Sequence, residues 1–213
     1  ERGGAVAWAE VDVEPISLLY LSDAPGPGPG SLQIELRFAY GPYEAPLDTF
    51  FPMDDLRRLP GGWTLARLHR KPNQEQQAYQ QLSSNEFGLK RANPPAPPGA
   101  FILRSKIHPL DFLMRYVPRL AKAGYEIYGE EKLKFGRVNR ARPSVTLSVT
   151  SGIDWFDVKT VVSFGEIEVS LKEIRRALRR KERFIKLADG TVGEIPDEFL
   201  ERYKHLFTLG QET

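Results

Sequence analysis

Proline limits this chain more than any other residue. Two runs, Pro25-Gly26-Pro27-Gly28-Pro29-Gly30 and Asn93-Pro94-Pro95-Ala96-Pro97-Pro98-Gly99, can continue neither a helix nor a central strand. Each proline lacks a backbone N–H and fixes φ, so regular elements must stop and restart around both runs. The first run lies between strand-like Ile16–Leu21 and Leu32–Phe38 and reads as a hairpin loop. It is no phosphate-cradling loop, because alternate residues lack the N–H donors that such a loop needs. The second run reads as a boundary between a strand-rich unit at 1–92 and a second unit at 100–213, with 93–99 as a Pro-rich linker. One sheet with a long crossing loop fits the same pattern.

Periodicity fills in the elements. Leu32, Ile34, Leu36 and Phe38 alternate with polar residues, the mark of a half-buried strand. Trp63 to Leu68 is a second strand. Asn73 to Ser84 reads as a helix, with Asn73 and Gln76 at capping-box spacing and a thin apolar face that places it at the surface. Pro109 suits a first helical position, and Pro118 predicts a break and restart before a left-handed cap at Gly124. Strands are expected over Tyr125–Tyr128, Lys132–Val138, Val145–Val149 and Trp155–Val162. A capping box, Ser170-x-x-Glu173, opens the next helix. Asp189-Gly190 predicts a two-residue hairpin turn, and Pro196 starts a final helix with Asp197 and Glu198 in its first turn. The order predicts an α+β fold, with a largely antiparallel sheet or sheets and a few packed helices.

Charge is informative locally. The 213 residues carry a net charge of only +2, so no global field favours nucleic acid. From Leu171 to Lys186, however, eight Lys or Arg face two Glu. Lys172, Arg175, Arg176 and Arg179 recur at helical spacing, and Arg180 and Lys181 follow them. Together these six are the candidate nucleic-acid-binding residues. A solvated face, or one docked on an acidic domain, accounts for the same pattern. Arg67, His69, Arg70 and Lys71 form a second, shorter cluster. Cysteine is absent, which removes disulfides and thiolate metal sites. The longest apolar run, Ile16–Leu21, is too short to span a bilayer. A cytoplasmic, nucleoid-associated setting is expected, and the lack of an initiator Met suggests an excised fragment.

Catalytic patterns fail one by one. Asp154 and Asp157 sit three apart on a strand and point to opposite faces, so a structural role is expected. Asp197-Glu198 begins a helix instead of ending a buried strand, and no Gly-Lys-Ser or Gly-Lys-Thr exists for nucleotide binding. His69, His108 and His205 are scattered, without a metal-ligand spacing, and no Gly-x-Ser-x-Gly elbow is present. The expectation is no catalytic residue and no metal in this chain.

An ordered set of short segments resembles the helicase-associated region of bacterial Swi/Snf-type ATPases. The set runs from Pro118 to Ile127, through Gly129–Leu133 and Asp154-Trp155-Phe156-Asp157, to Val169-Ser170-Leu171 and Arg183–Gly190. Upstream, Phe38-x-Tyr40-Gly41 and Arg70–Glu75 are similar to the preceding part of such proteins. The resemblance implies a non-catalytic accessory domain of a DNA translocase, with Asp154, Trp155, Phe156 and Asp157 as a structural signature. ATP and magnesium would belong to motor lobes outside this chain. The implied partners are those lobes, duplex DNA or RNA polymerase, with no membrane. Two other readings stay open, a free-standing protein-interaction module and an enzyme on an α+β scaffold.

Overall fold

A computed structural model describes residues 8–24, 31–47, 55–58, 65–134, 136–151 and 156–208. The chain divides into two compact units, Glu1–Lys134 and Phe135–Thr213. The first unit contains β1 (Trp8–Val11), β2 (Ile16–Asp23), β3 (Leu32–Tyr40), β4 (Tyr43–Pro46), β5 (Asp55–Arg58) and β6 (Leu65–Leu68). It continues with α1 (Pro72–Ser83), β7 (Leu89–Arg91), β8 (Ala100–Leu103), α2 (Pro109–Asp111), α3 (Val117–Lys122) and β9 (Glu126–Tyr128).

Its main sheet runs β7-β8-β3-β2-β9, with β4 added on β3. The expected alternation sets the register. Leu32, Ile34, Leu36, Phe38 and Tyr40 are all buried, and the residues between them are half-buried. A slip by one residue would turn that whole set outward. Leu19 and Leu21 pair opposite Leu36 and Ile34 and extend the same core face. The β2–β3 hairpin forms as expected; its run 25–30 lies outside the described residues. The second run, 93–99, connects β7 to β8, which pair antiparallel as neighbours in this one sheet. The units that actually form meet at Lys134 and Phe135. A smaller sheet, β1-β6-β5, pairs β1 parallel to β6. Residues 63 and 64 of the expected strand at Trp63–Leu68 are not among those described.

Three local expectations change. Helix α1 starts one residue before the expected cap: Lys71 is the N-cap, without a side-chain bond, and Pro72 fills the first helical positions. Asn73 caps nothing, because Pro72 already has the φ that the first turn requires. The surface position expected for this helix holds for most of it, but Glu75, Tyr79 and Leu82 are buried. At Pro118 the helix does not break. A π turn, Phe112–Tyr116, joins α2 to α3, and the Val117 N–H reaches back to the Phe112 carbonyl. The wider turn lets the chain pass a residue that cannot donate. Among the described residues, the strand expected over Lys132–Val138 does not form. Glu130–Lys132 is a 3-10 turn, and only β10 (Val138–Asn139) pairs. Gly136, at φ +85°, ends any extended run there.

The second unit continues with β11 (Pro143–Ser151), β12 (Phe156–Phe164), β13 (Ile167–Val169), α4 (Leu171–Arg179), β14 (Phe184–Lys186), β15 (Val192–Glu194) and α5 (Asp197–Thr208). Two three-stranded sheets form, β11-β12-β13 and β10-β15-β14. Its core joins Val162, Phe164 and Val169 to Ile174 and Ala177 of α4, Ile185, Leu187, Ile195, and Phe199 of α5. The β14–β15 connection is one residue longer than expected. The Leu187 N–H bonds the Thr191 carbonyl at 2.7 Å, which leaves Ala188, Asp189 and left-handed Gly190 (φ +84°) in the loop. β11 and β12 pair along nine residues each, whereas β13 covers only Val162 to Phe164. On the uncovered part, Leu147 is 51% and Val149 66% exposed.

Candidate nucleic-acid interface

Helix α4 carries the basic run. Its start is the expected capping box: the Ser170 hydroxyl accepts from the Glu173 N–H at 3.3 Å, and the Glu173 carboxylate accepts from the Ser170 N–H at 3.2 Å. Ile174 and Ala177 are buried in the core, and Leu171 and Leu178 pack at its margin. At 100° per residue this apolar stripe leaves Lys172, Arg176 and Arg179 on the opposite side, and all three are exposed. Arg175 departs from the expected set. It lies beside the Leu171 edge of the stripe and is half-buried. Arg180 and Lys181 are exposed at the C-terminal end. Arg180 lies 3.8 Å from the Glu182 carboxylate, a weak exposed pair. Arg183, one turn on, is held by Glu194 at 2.8 Å. Among the described residues, no carboxylate pairs with Lys172, Arg176, Arg179 or Lys181.

Helix α4 ends without any signal in the sequence. No Gly or Asn follows it; the next glycine is Gly190. The end is nonetheless a Schellman motif. The Glu182 N–H bonds the Ala177 carbonyl at 2.9 Å and the Lys181 N–H bonds the Leu178 carbonyl at 3.0 Å, with Lys181 left-handed at φ +56°.

The second basic cluster is consumed inside the first unit. Parallel pairing of β1 with β6 carries Glu10, and the chain after it, alongside residues 67–71. His69 meets Glu10 at 2.6 Å, and Lys71 pairs with Asp12. The Lys71 ammonium holds the Asp12 carboxyl below the usual carboxylate range. The Arg70 side chain is covered, and its guanidinium grips Glu75 twice, at 2.9 and 2.6 Å, and the Pro46 carbonyl at 2.8 Å. The Tyr40 hydroxyl donates to Glu75 at 2.5 Å and accepts from the Lys71 N–H at 2.9 Å. The sequence shows Tyr40 in one motif piece and Arg70 and Glu75 at the two ends of another; nothing in it shows that they meet.

Of the signature residues, Asp154 and Trp155 lie outside the described residues. Phe156 and Asp157 open β12, in register with Ser151 and Thr150. Asp197 and Glu198 are exposed in the first turn of α5, a position that the helix dipole favours. No group of three or more His, Cys, Asp or Glu among the described residues could hold a metal ion. No helix among them is long and apolar enough to cross a membrane.

Mixed helices and mostly antiparallel sheets define an α+β domain. The chain belongs to the bacterial SNF2 helicase-associated family, whose model matches residues 29–209. Neither a curated protein nor a solved structure matches it.

Proposed function

We propose that this chain is a non-catalytic accessory domain of an ATP-dependent DNA translocase, and that the exposed face of α4 holds phosphates of duplex DNA. The observation that carries the DNA contact is the set Lys172, Arg176 and Arg179, exposed on one face of α4 and paired with no described carboxylate. Length decides between ligands. Lys172 and Arg179 are separated by about 10 Å of helix, and a duplex presents a negative charge about every 1.7 Å along its axis. A polyanion engages all three cations at once, whereas a small anion reaches one or two. Helix α4 has no aromatic residue, so base stacking has no platform and the contact is to backbone, independent of sequence.

ATP and magnesium belong to the motor lobes in this reading, since the chain has no Gly-Lys-Ser or Gly-Lys-Thr loop. Those lobes are its first partner. RNA polymerase or another DNA-bound protein is a second, and the setting is the cytoplasm around the nucleoid. Fluorescence anisotropy with a labelled duplex, read across a salt series, tests the DNA contact. Three phosphate contacts predict a log–log slope of about −3, roughly a fortyfold loss of affinity between about 50 and 200 mM salt. The triple change Lys172→Ala, Arg176→Ala, Arg179→Ala should remove most of that binding and leave the melting temperature unchanged. Wild-type affinity in the triple variant would refute the DNA contact. The accessory role fails if the translocase lacking this domain keeps its DNA-stimulated ATPase, translocation and partner binding.

A further inference from the structure

Eight described residues have left-handed backbone. Seven are glycine, and the eighth is Lys181. A left-handed residue with a Cβ crowds the following carbonyl, so glycine is the residue that suits such a position. The Schellman bonds that impose this conformation at 181 are all made by backbone groups, and glycine would make them with less strain. The lysine side chain is exposed and pairs with no described carboxylate. A counter-charge to the helix dipole does not require it either, because Arg179 and Arg180 already place cations at that end. Strain kept at one surface position points to a use for the side chain that strains it.

We infer that Lys181 is a phosphate-contacting residue, kept at the strained cap of α4 because its ammonium extends the cationic face beyond the end of the helix. This rests on the reading of the α4 face as a duplex-binding surface, and it adds the turn into β14 to that surface.

Three single variants of the full chain separate backbone strain from charge. Lys181→Gly should raise the melting temperature by roughly 2–6 °C. It should also lower affinity for a labelled duplex about five- to tenfold at moderate salt and reduce the salt slope by about one. Lys181→Met keeps the strain without the charge, so it should lose the same affinity with no gain in melting temperature. Lys181→Arg should bind like the wild type. The inference is overturned if Lys181→Gly melts higher yet binds with unchanged affinity and slope. In that case the α4 reading still stands, provided the Lys172, Arg176 and Arg179 triple variant loses binding. A lower melting temperature in Lys181→Gly also overturns it, by showing that the lysine stabilises the fold. No duplex binding by the wild-type chain removes both readings.

Discussion

Glu75 satisfies several groups at once. Its carboxylate neutralises Arg70, whose side chain is 3% exposed, and accepts the Tyr40 hydroxyl, which in turn receives the Lys71 N–H. Removing one partner of a buried pair strands the other, so Glu75→Gln should cost about 3–5 kcal/mol in urea unfolding. Replacing Arg70 and Glu75 together by Met and Leu should recover much of that loss, because no charge is left stranded. Survival of Glu75→Gln at full stability would mean that Arg70 is solvated. Three tyrosines set an alkaline limit. The bond to Glu44 and then burial push Tyr20 up to about 12; burial and then the Glu86 charge push Tyr125 up to about 12. Burial and the bond to Glu75 raise Tyr40 further. Each is favoured in its neutral form by folding. Their contribution is therefore complete below the ordinary tyrosine value near 10 and is lost as pH rises through about 12. Near-ultraviolet absorbance, followed beside circular dichroism, should show these tyrosines ionising last and together with unfolding. Ionisation of these three in a folded chain near the ordinary tyrosine value would contradict the Glu44 bond at Tyr20 and the burial of Tyr40 and Tyr125.

At the scale of elements, short-range chemistry was legible and long-range chemistry was not. The capping box of α4, the alternation of β3 and the dipole-matched start of α5 each involve residues within one turn or one strand, and each is found where the sequence puts it. Ser170→Ala should cost about 1 kcal/mol by freeing the Glu173 N–H, seen as a lower urea midpoint at constant slope. The exceptions depend on distant partners or on missing signals. The π turn answers Pro118 with a wider turn of helix, an outcome that packing decides and the proline itself does not. His69 and Lys71 look like part of a cationic patch until β1 and the chain after it bring Glu10 and Asp12 from 59 residues away. The cap at Lys181 has no glycine to announce it. A second contact is equally invisible in the sequence: a Cβ on Gly193 would lie 2.7 Å from the ring of fully buried Phe164. Gly193→Ala should therefore destabilise by about 1–3 kcal/mol through overpacking alone.

For the whole molecule, connectivity matters more than charge. The first unit has sixteen Lys or Arg against sixteen Asp or Glu, and the second has fourteen against twelve. Attraction to a polyanion therefore depends on how charges are placed, which is why the α4 face was visible as a cluster and invisible as a net value. A fragment ending at 92 would lack β8 and β9, and would leave open the β9 edge of β2 and the Gln33–Glu35 stretch of β3. It should aggregate, while residues 1–134 should unfold cooperatively, a contrast that size-exclusion chromatography and thermal melts would show. The parallel pairing of β2 with β9 also sets a clock. Leu18 takes its place beside Glu126, so β2 is synthesised about a hundred residues before the strand that closes its edge. At ribosomal speeds of about 5–20 residues per second, that edge stays open for roughly 5–20 s. The first unit is therefore a high-contact-order, late-closing fold. Its yield in the cell should depend on elongation rate and on chaperones that shield a nascent strand.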